Sequence, residues 1–134
     1  MKNIFLLTLT LLFACQSTKK EEVDLKALKD EVFVLHDEVM PMMGDLRKVR
    51  KSLMAQVDSI QAIDPTKAEE FTLTSTDLDA ANESMMMWMR NFDPNFEGTD
   101  EETLKYLTDQ KTSIGEVNTR MKETLKKGQA LLEN

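Results

Sequence analysis

The side chains best suited to chemistry are one histidine and several methionines in two short stretches. His36, Met40 and Met43 follow one another at steps of four and three residues, which places them on one stripe of a helix. The second stretch surrounds Trp88 and contains Met85, Met86, Met87 and Met89. Imidazole and thioether groups suit soft metal ions such as Cu(I). The copper hypothesis is that a Cu(I) ion is bound by His36, Met40, Met43, Met85, Met86 and Met89.

Methionine also has a structural use that needs no metal. Its flexible side chain fills irregular space in a core, and Pro41 beside Met40 and Met42 creates such space. On this second interpretation the methionines are packing residues, with Met42 and Met85 on the buried stripe. A third interpretation is a groove for an apolar ligand or partner.

Enzymatic catalysis is not expected, because the required pairs of side chains are missing. A nucleophile needs an adjacent base, usually histidine, and His36 is the only histidine in the chain. The sequence also lacks a glycine-rich phosphate-binding motif. We expect His36 to sit half-exposed against Asp37 or Glu38. Trp88 is predicted to anchor the core, with its indole N–H reaching a polar edge.

Cys15 is the only cysteine, and it follows the features of a secretory signal. Lys2 provides the positive start, and an apolar stretch follows over residues 4–13. That stretch is too short to cross a bilayer, which takes about 20 apolar residues. The end of the segment, Leu12-Phe13-Ala14-Cys15, resembles the lipobox of bacterial lipoproteins. An ordinary secretory signal with an incidental cysteine is the alternative.

The lipobox resemblance implies a durable membrane anchor. In bacterial lipoproteins the thiol of the cysteine receives a diacylglyceryl group, the preceding residues are removed and the new amine is acylated. Residues 1–14 would then be the signal peptide, and Cys15 would carry the covalent lipid. Several acyl chains hold a protein to a bilayer far better than one. We therefore expect a lipid-anchored protein of the cell envelope with no other cofactor.

The charge balance limits the partners. The chain has a net charge of −7, and removal of residues 1–14 takes away Lys2 and no acid, which leaves about −8. Nucleic acid is excluded as a partner, because its binding needs clustered Lys and Arg. The expected partners are the membrane, through the lipid, and an envelope protein or a second copy of the chain.

Periodic apolar residues predict a long first helix over residues 22–63, after a polar tether over residues 15–22. Apolar side chains recur at alternating steps of three and four residues, as in a coiled-coil seam: Leu25, Leu28, Val32, Leu35, Val39, Met42, Leu46, Val49 and Leu53. Pro41 interrupts this helix, because it removes a backbone donor and crowds the preceding turn. Since the seam keeps its phase across Pro41, we expect a kink, and a reversal of the chain is the alternative.

Two further helices complete a predicted domain over residues 23–134. Residues 64–75 are expected to form a connection, and Thr76 to cap a second helix over residues 76–92. Thr99-Asp100-Glu101-Glu102 has the pattern of a capping box and predicts a third helix over residues 100–132. The prediction is an all-α, up-down-up three-helix bundle. The long first helix should overhang the short second one, leaving apolar surface for a partner or for self-association.

Two blocks of the sequence carry a family resemblance. Residues 36–46 (HDEVMPMMGDL) and 85–94 (MMMWMRNFDP) resemble small lipoproteins of Bacteroidota that are often labelled "viral A-type inclusion protein". That family has no assigned activity, so the resemblance implies taxon and topology only. Residues 19–22 (KKEE) are similar to the charged signal that sends some lipoproteins of this phylum to the cell surface. The resemblance favours the outer membrane, facing either the periplasm or the surface, and a binding or scaffold role.

Overall fold

A computed structural model of the chain describes residues 24–133. The predicted signal peptide (1–14), the tether (15–22) and the lipid on Cys15 lie outside the described residues. The described residues form five α-helices and no strand: α1 Leu25–Val39, α2 Met42–Met54, α3 Val57–Gln61, α4 Pro65–Asn91 and α5 Asp100–Glu133. None of these helices has the length and apolar composition needed to span a bilayer.

The first three helices are segments of one bent rod, which confirms the kink at Pro41. Met40 (φ −51°, ψ −42°) and Pro41 (φ −62°, ψ −27°) both keep right-handed helical angles, so the chain bends without reversing. A second bend follows at Ala55 and Gln56, where the helical angles are again nearly kept.

The predicted seam continues through the Pro41 bend at Leu46, Val49 and Leu53, with one exception next to Pro41. Met43 is 5% exposed, whereas Met42 is only half-buried, so the prediction that Met42 occupies the seam is wrong. The two segments on either side of the bend have different neighbours. Helix α1 packs mainly on α5, whereas α2 packs against both α4 and α5.

The predicted connection over residues 64–75 is wrong, because α4 already begins at Pro65. Asp64 is extended (φ −141°, ψ 91°), and its carboxylate accepts a hydrogen bond from the Lys67 amide at 3.0 Å. Proline suits the first helical position, where no amide donor is needed. Thr76 caps nothing, since its hydroxyl donates to the Thr72 carbonyl at 3.1 Å inside the helix.

This early start removes the predicted overhang of the first helix. Helix α4 has 27 residues and packs along both α2 and α3. Its first turns bury Ala68 and Phe71. The apolar stripe of the first rod is therefore covered by the chain itself, and the unpaired seam expected for a partner or a second copy is not there.

Polar pairs give the direction of each helix. Arg47 donates to Asn82 at 3.3 Å and Arg50 pairs with Asp79 at 3.6 Å, so α2 and α4 are antiparallel. Glu31 pairs with Lys111 and Glu38 with Lys122, so α1 and α5 are parallel. The all-α, up-down-up arrangement is confirmed.

Helix α5 begins at the predicted capping box and passes close to the other helices near its end. The Thr99 amide donates to the Glu102 carboxylate at 2.8 Å, and the Glu102 amide donates to the Thr99 hydroxyl at 3.3 Å. Further along, Gly128 is buried where α5 meets Val49 and Leu78. The absence of a side chain at Gly128 allows this close approach.

Asn118 links α1 to α5 from a nearly buried position. Its side-chain amide donates at 2.9 Å to both the Leu35 carbonyl and the Glu38 carboxylate. Lys122 donates to the other oxygen of Glu38 at 2.5 Å. The hydrogen bonds from Lys122 and then Asn118 lower the pKa of Glu38. A buried amide of this kind holds two helices in one register.

Replacing Gly128 with alanine should destabilise the bundle, although alanine favours helix formation by about 1 kcal/mol. The new Cβ would lie 2.7 Å from Cγ1 of Val49 and 3.1 Å from Cδ1 of Leu78. Overpacking of this kind costs about 1–3 kcal/mol. Gly115→Ala is the matched control, because nothing lies within 4 Å of its added Cβ, and it should stabilise. Urea denaturation measures both, and equal effects would contradict this packing.

Replacing Glu38 with glutamine should lower the melting temperature near neutral pH. Because the folded state depresses the pKa of Glu38, its contribution is present above the unfolded-state pKa. That contribution is lost as the pH falls through the folded-state value, so the two proteins should converge in acid. Thermal melts followed by circular dichroism across the acid range test this. Glu123→Gln, on the exposed surface of α5, should match the wild type throughout.

Candidate functional site

Five rings form a continuous column at one end of the bundle. His36 lies over Trp88 with ring centroids 5.5 Å apart, and Trp88 stacks on Phe92 at 4.7 Å. Phe92 stacks on Tyr106 at 6.2 Å, and Tyr106 stacks on Phe96 at 4.2 Å with an interplanar angle of 8°. We call these rings the aromatic column: His36, Trp88, Phe92, Tyr106 and Phe96.

The column joins three helices and the loop between α4 and α5. Trp88 lies in the last turn of α4, and Phe92, four residues later, caps that helix and stacks on Trp88. Tyr106 fixes the loop, because its hydroxyl accepts from the Asp93 amide at 2.6 Å and donates to the Asp93 carbonyl at 3.2 Å. Phe33 of α1 adds an edge-on contact with Phe92 at 5.6 Å.

The rings of the column become more exposed from Trp88 towards Phe96. Trp88 is 6% exposed, whereas Phe96 is 37% and Phe33 is 36% exposed. The partly exposed surface made by Phe33, Phe92, Phe96 and Tyr106 is named here the aromatic end. Rings held in place by stacking are pre-organised for contact, since little side-chain freedom is left to lose.

The indole of Trp88 corrects one prediction. Trp88 anchors the core as expected, but its Nε1 donor is buried and has no hydrogen-bond partner among residues 24–133. An unsatisfied buried donor costs about 1–3 kcal/mol. The stacking of Trp88 between His36 and Phe92 therefore fixes this side chain without any help from the indole N–H.

Three carboxylates lie in the loop after Phe96 and in the first turn of α5, and we call them the acidic rim: Glu97, Asp100 and Glu101. All three are exposed. Among residues 24–133, no ion pair includes any of them. Nearby carboxylates are used internally, since Asp93 accepts from the Asn95 amide and Glu102 belongs to the capping box. The loop and the first turn of α5 therefore have carboxylates that the described residues leave without an ion pair.

The aromatic end lies at the start of the fold. The ammonium group of Lys29, in the second turn of α1, donates to the Pro94 carbonyl in the loop beside Phe96. Cys15 precedes Asp24, the first described residue, by nine positions. Nine residues span at most about 30 Å when fully extended. A lipid on Cys15 would therefore keep the aromatic end close to a bilayer surface.

The residues of the copper hypothesis differ in burial. Met43 and Met85 belong to the core, Met86 and Met89 are half-buried, and Met40 is 40% exposed. His36 is half-buried over Trp88, and its Nδ1 atom lies 2.7 Å from Oδ1 of Asp37, as expected. Among the described residues, no three His, Cys, Asp or Glu side chains are grouped to hold a metal ion.

Helical geometry separates His36 from some of the methionines. Successive residues of a helix are rotated by about 100°, so Met86 and Trp88 point about 160° apart around α4. Since His36 covers Trp88, it lies on the opposite side of α4 from Met86. Helices α2 and α4 are antiparallel, and Arg47 is hydrogen-bonded to Asn82. Met43, one turn before Arg47, and Met86, one turn after Asn82, therefore lie at the same height along the two helices. The structure thus does not unite all six proposed ligands.

The sequence pattern did not predict the aromatic end, although the spacing of two of its rings is visible in the sequence. Trp88 and Phe92 are spaced for one helical face, and a ring pair there was visible. The contribution of Tyr106 depends on how the chain turns after Asp93, which the spacing of residues does not give.

Copper binding stays a prediction, and the geometry sharpens its test. A site made by thioethers between α2 and α4 would not need His36. We expect any Cu(I) affinity to survive His36→Gln and to be lost in the Met40→Leu, Met43→Leu, Met89→Leu triple variant. Competitive titration with a colorimetric Cu(I) chelator measures this. Equal affinity in the triple variant and the wild type would end the copper hypothesis.

No protein-family model, curated protein or solved structure matches this chain. The resemblance to small Bacteroidota lipoproteins therefore remains a prediction carried by residues 36–46 and 85–94. The function must be inferred from the geometry of the aromatic end itself.

Proposed function

We propose that this protein is a non-enzymatic, lipid-anchored binding module of the cell envelope, and that it binds another protein through its aromatic end. The observation that carries the proposal is the aromatic column, which runs from the buried Trp88 to the partly exposed Phe96. We place the protein at the outer membrane, facing the periplasm or the surface, on the sequence features of residues 1–22.

The aromatic end has the properties of a protein-binding hot spot. Such sites are rich in large aromatic side chains that are held rigidly and can be desolvated on contact. Phe96 is held by Tyr106, and Tyr106 is tied to the loop through Asp93. A partner would therefore meet a preformed surface, and its binding energy would not be spent on ordering that surface.

A different protein is favoured over a second copy of the chain. The early start of α4 covers the seam on which self-association was expected to depend. Two copies meeting at the aromatic end would also bring together two loops that each have Glu97 next to Phe96. Like charges facing each other oppose such a contact.

The proposed anchor adds a restraint on where the partner lies. With Cys15 lipidated, Asp24 stays within about 30 Å of the bilayer, and the aromatic end lies beside the first turns of α1 that follow. A tethered module meets partners on the same membrane at a raised effective concentration, so moderate affinity is sufficient. The expected partner is a membrane protein or another protein held at the envelope surface.

Site-specific photo-crosslinking in cells tests the proposal. Benzoyl-phenylalanine at position 96 keeps an aromatic ring in the column and should cross-link one reproducible envelope protein, identified by mass spectrometry. The control position is Ile63, which is 86% exposed at the opposite end of the bundle and should give no product. Mass analysis of the same protein should show a chain that begins at a lipid-modified Cys15.

Two results would contradict the proposal. Equal cross-linking from positions 96 and 63 would mean that contacts are random collisions. A product that retains residues 1–14 and has no lipid would remove the anchor, and with it the restriction to membrane-bound partners.

A further inference from the structure

We infer that His36 is a pH-sensitive link between α1 and α4: when its ring is protonated, it binds Trp88 more strongly and stabilises the buried part of the aromatic column. The inference goes beyond the proposed function, because it concerns the column itself and does not depend on any partner. It is carried by one contact, in which the only histidine of the chain lies against its only tryptophan.

The first step is the geometry of the two rings. The centroids of His36 and Trp88 are 5.5 Å apart, and the ring planes are tilted by 33°. A cation within about 6 Å of an aromatic centroid is attracted to the face of the ring, and tryptophan attracts it best. Trp88 is 6% exposed, so little water screens the contact. A positive charge on His36 would therefore strengthen a contact that the neutral ring makes by packing alone.

The second step is the carboxylate beside the imidazole. Nδ1 of His36 lies 2.7 Å from Oδ1 of Asp37, and a carboxylate can only accept, so the neutral ring carries its hydrogen on Nδ1. Protonation therefore adds a hydrogen at Nε2 and turns this hydrogen bond into an ion pair. The His36 side chain is 18% exposed, so the ring can exchange protons with solvent. Asp37 and Trp88 both attract the protonated ring more strongly than the neutral one.

The other charged groups around His36 already have partners. On α1, α4 and α5 these contacts are Lys29 with the Pro94 carbonyl, Lys111 with Glu31, Lys122 with Glu38, Arg90 with Glu83 and Tyr106 with Asp93. Lys29 shares the face of His36 but lies about 10 Å away along the helix axis, where salt screens much of its repulsion. Asp37 is therefore the charged group in direct contact with the ring.

Protonation would act where α1 meets α4. Helix α1 packs mainly on α5, and within residues 24–133 the ring contacts that join α1 to the last turn of α4 and its cap are His36 on Trp88 and Phe33 on Phe92. Histidine side chains titrate between about pH 5 and pH 8. The added stability should thus be present at the acid side of this range and be lost as the pH rises through it.

Tryptophan fluorescence detects the charge on His36 directly. An imidazolium ring in contact with an indole quenches its emission, and Trp88 is the only tryptophan. In the mature protein purified in detergent, emission should fall in one transition as the pH is lowered from about 8 to about 5. The same titration of His36→Gln should show no such transition.

Thermal melts followed by circular dichroism measure the stabilisation. The advantage of the wild type over His36→Gln in melting temperature should be about 2–5 °C larger at about pH 5 than at about pH 8. Comparing the two proteins at each pH cancels the effects of other titrating groups. Asp37→Asn should lose part of the acid-side gain. Glu70→Gln, which removes an exposed carboxylate from the start of α4, is the matched control and should keep it.

Several outcomes would overturn the inference. An equal emission transition in His36→Gln would assign the titration to another group, and a flat wild-type profile would mean that the ring is not charged against Trp88. A transition without the acid-side gain in melting temperature would mean that protonation does not strengthen the link. Should His36→Gln not fold, Asp37→Asn decides, because its side chain is 74% exposed: a melting-temperature difference from the wild type that is the same at both pH values rejects the inference.

This test and the test of the proposed function can fail separately. A specific protein cross-link from position 96 together with pH-independent Trp88 emission would reject the role of His36 and leave the proposed function standing. A quenched, acid-stabilised wild type without any specific cross-link would do the opposite.

Discussion

The start of α4 at Pro65, with Asp64 as its N-cap, determines how the rest of the bundle is covered. One hydrogen bond from the Lys67 amide to the Asp64 carboxylate, together with Pro65 in the first helical position, sets this start. Compared with the predicted start at residue 76, the helix gains about three turns, which pack Ala68 and Phe71 against the bent rod. With a later start, α3 and the end of α2 would expose their apolar sides. The bundle closes on itself because α4 is long enough to reach every other segment.

The local end signals of the helices were readable from sequence, but the extent of α4 was not. The capping box at Thr99 and Glu102 involves residues three apart, so its pattern reports its own geometry. Residues 72–76 contain four hydroxyl side chains, which favour caps and turns over helix interiors. In the structure, Thr72 and Thr76 instead donate to carbonyls one turn back. Burial of the surrounding turns outweighs the weak local preference.

The candidate site shows a similar division between local and long-range information. The spacing of His36, Met40 and Met43 indicated one helical stripe, but spacing does not say which neighbour the stripe faces. Because His36 lies on Trp88, it is turned away from part of the methionine cluster. The aromatic end depends on the turn after Asp93 and on the stacking of Tyr106, and both are tertiary features. The bend at Pro41 was predicted because the seam could be followed through it.

The parallel arrangement of α1 and α5 has a mechanical consequence. A load applied at the N-terminal end of α1, along its axis, would slide α1 against α5 and would not peel the two helices apart. The links at Glu31, Glu38 and Asn118 would then resist together, because each joins α1 to α5 across the sliding direction. Shear loading of this kind requires several bonds to fail at once. The fold is thus suited to withstand tension between the N-terminal end of α1 and the C-terminal end of α5.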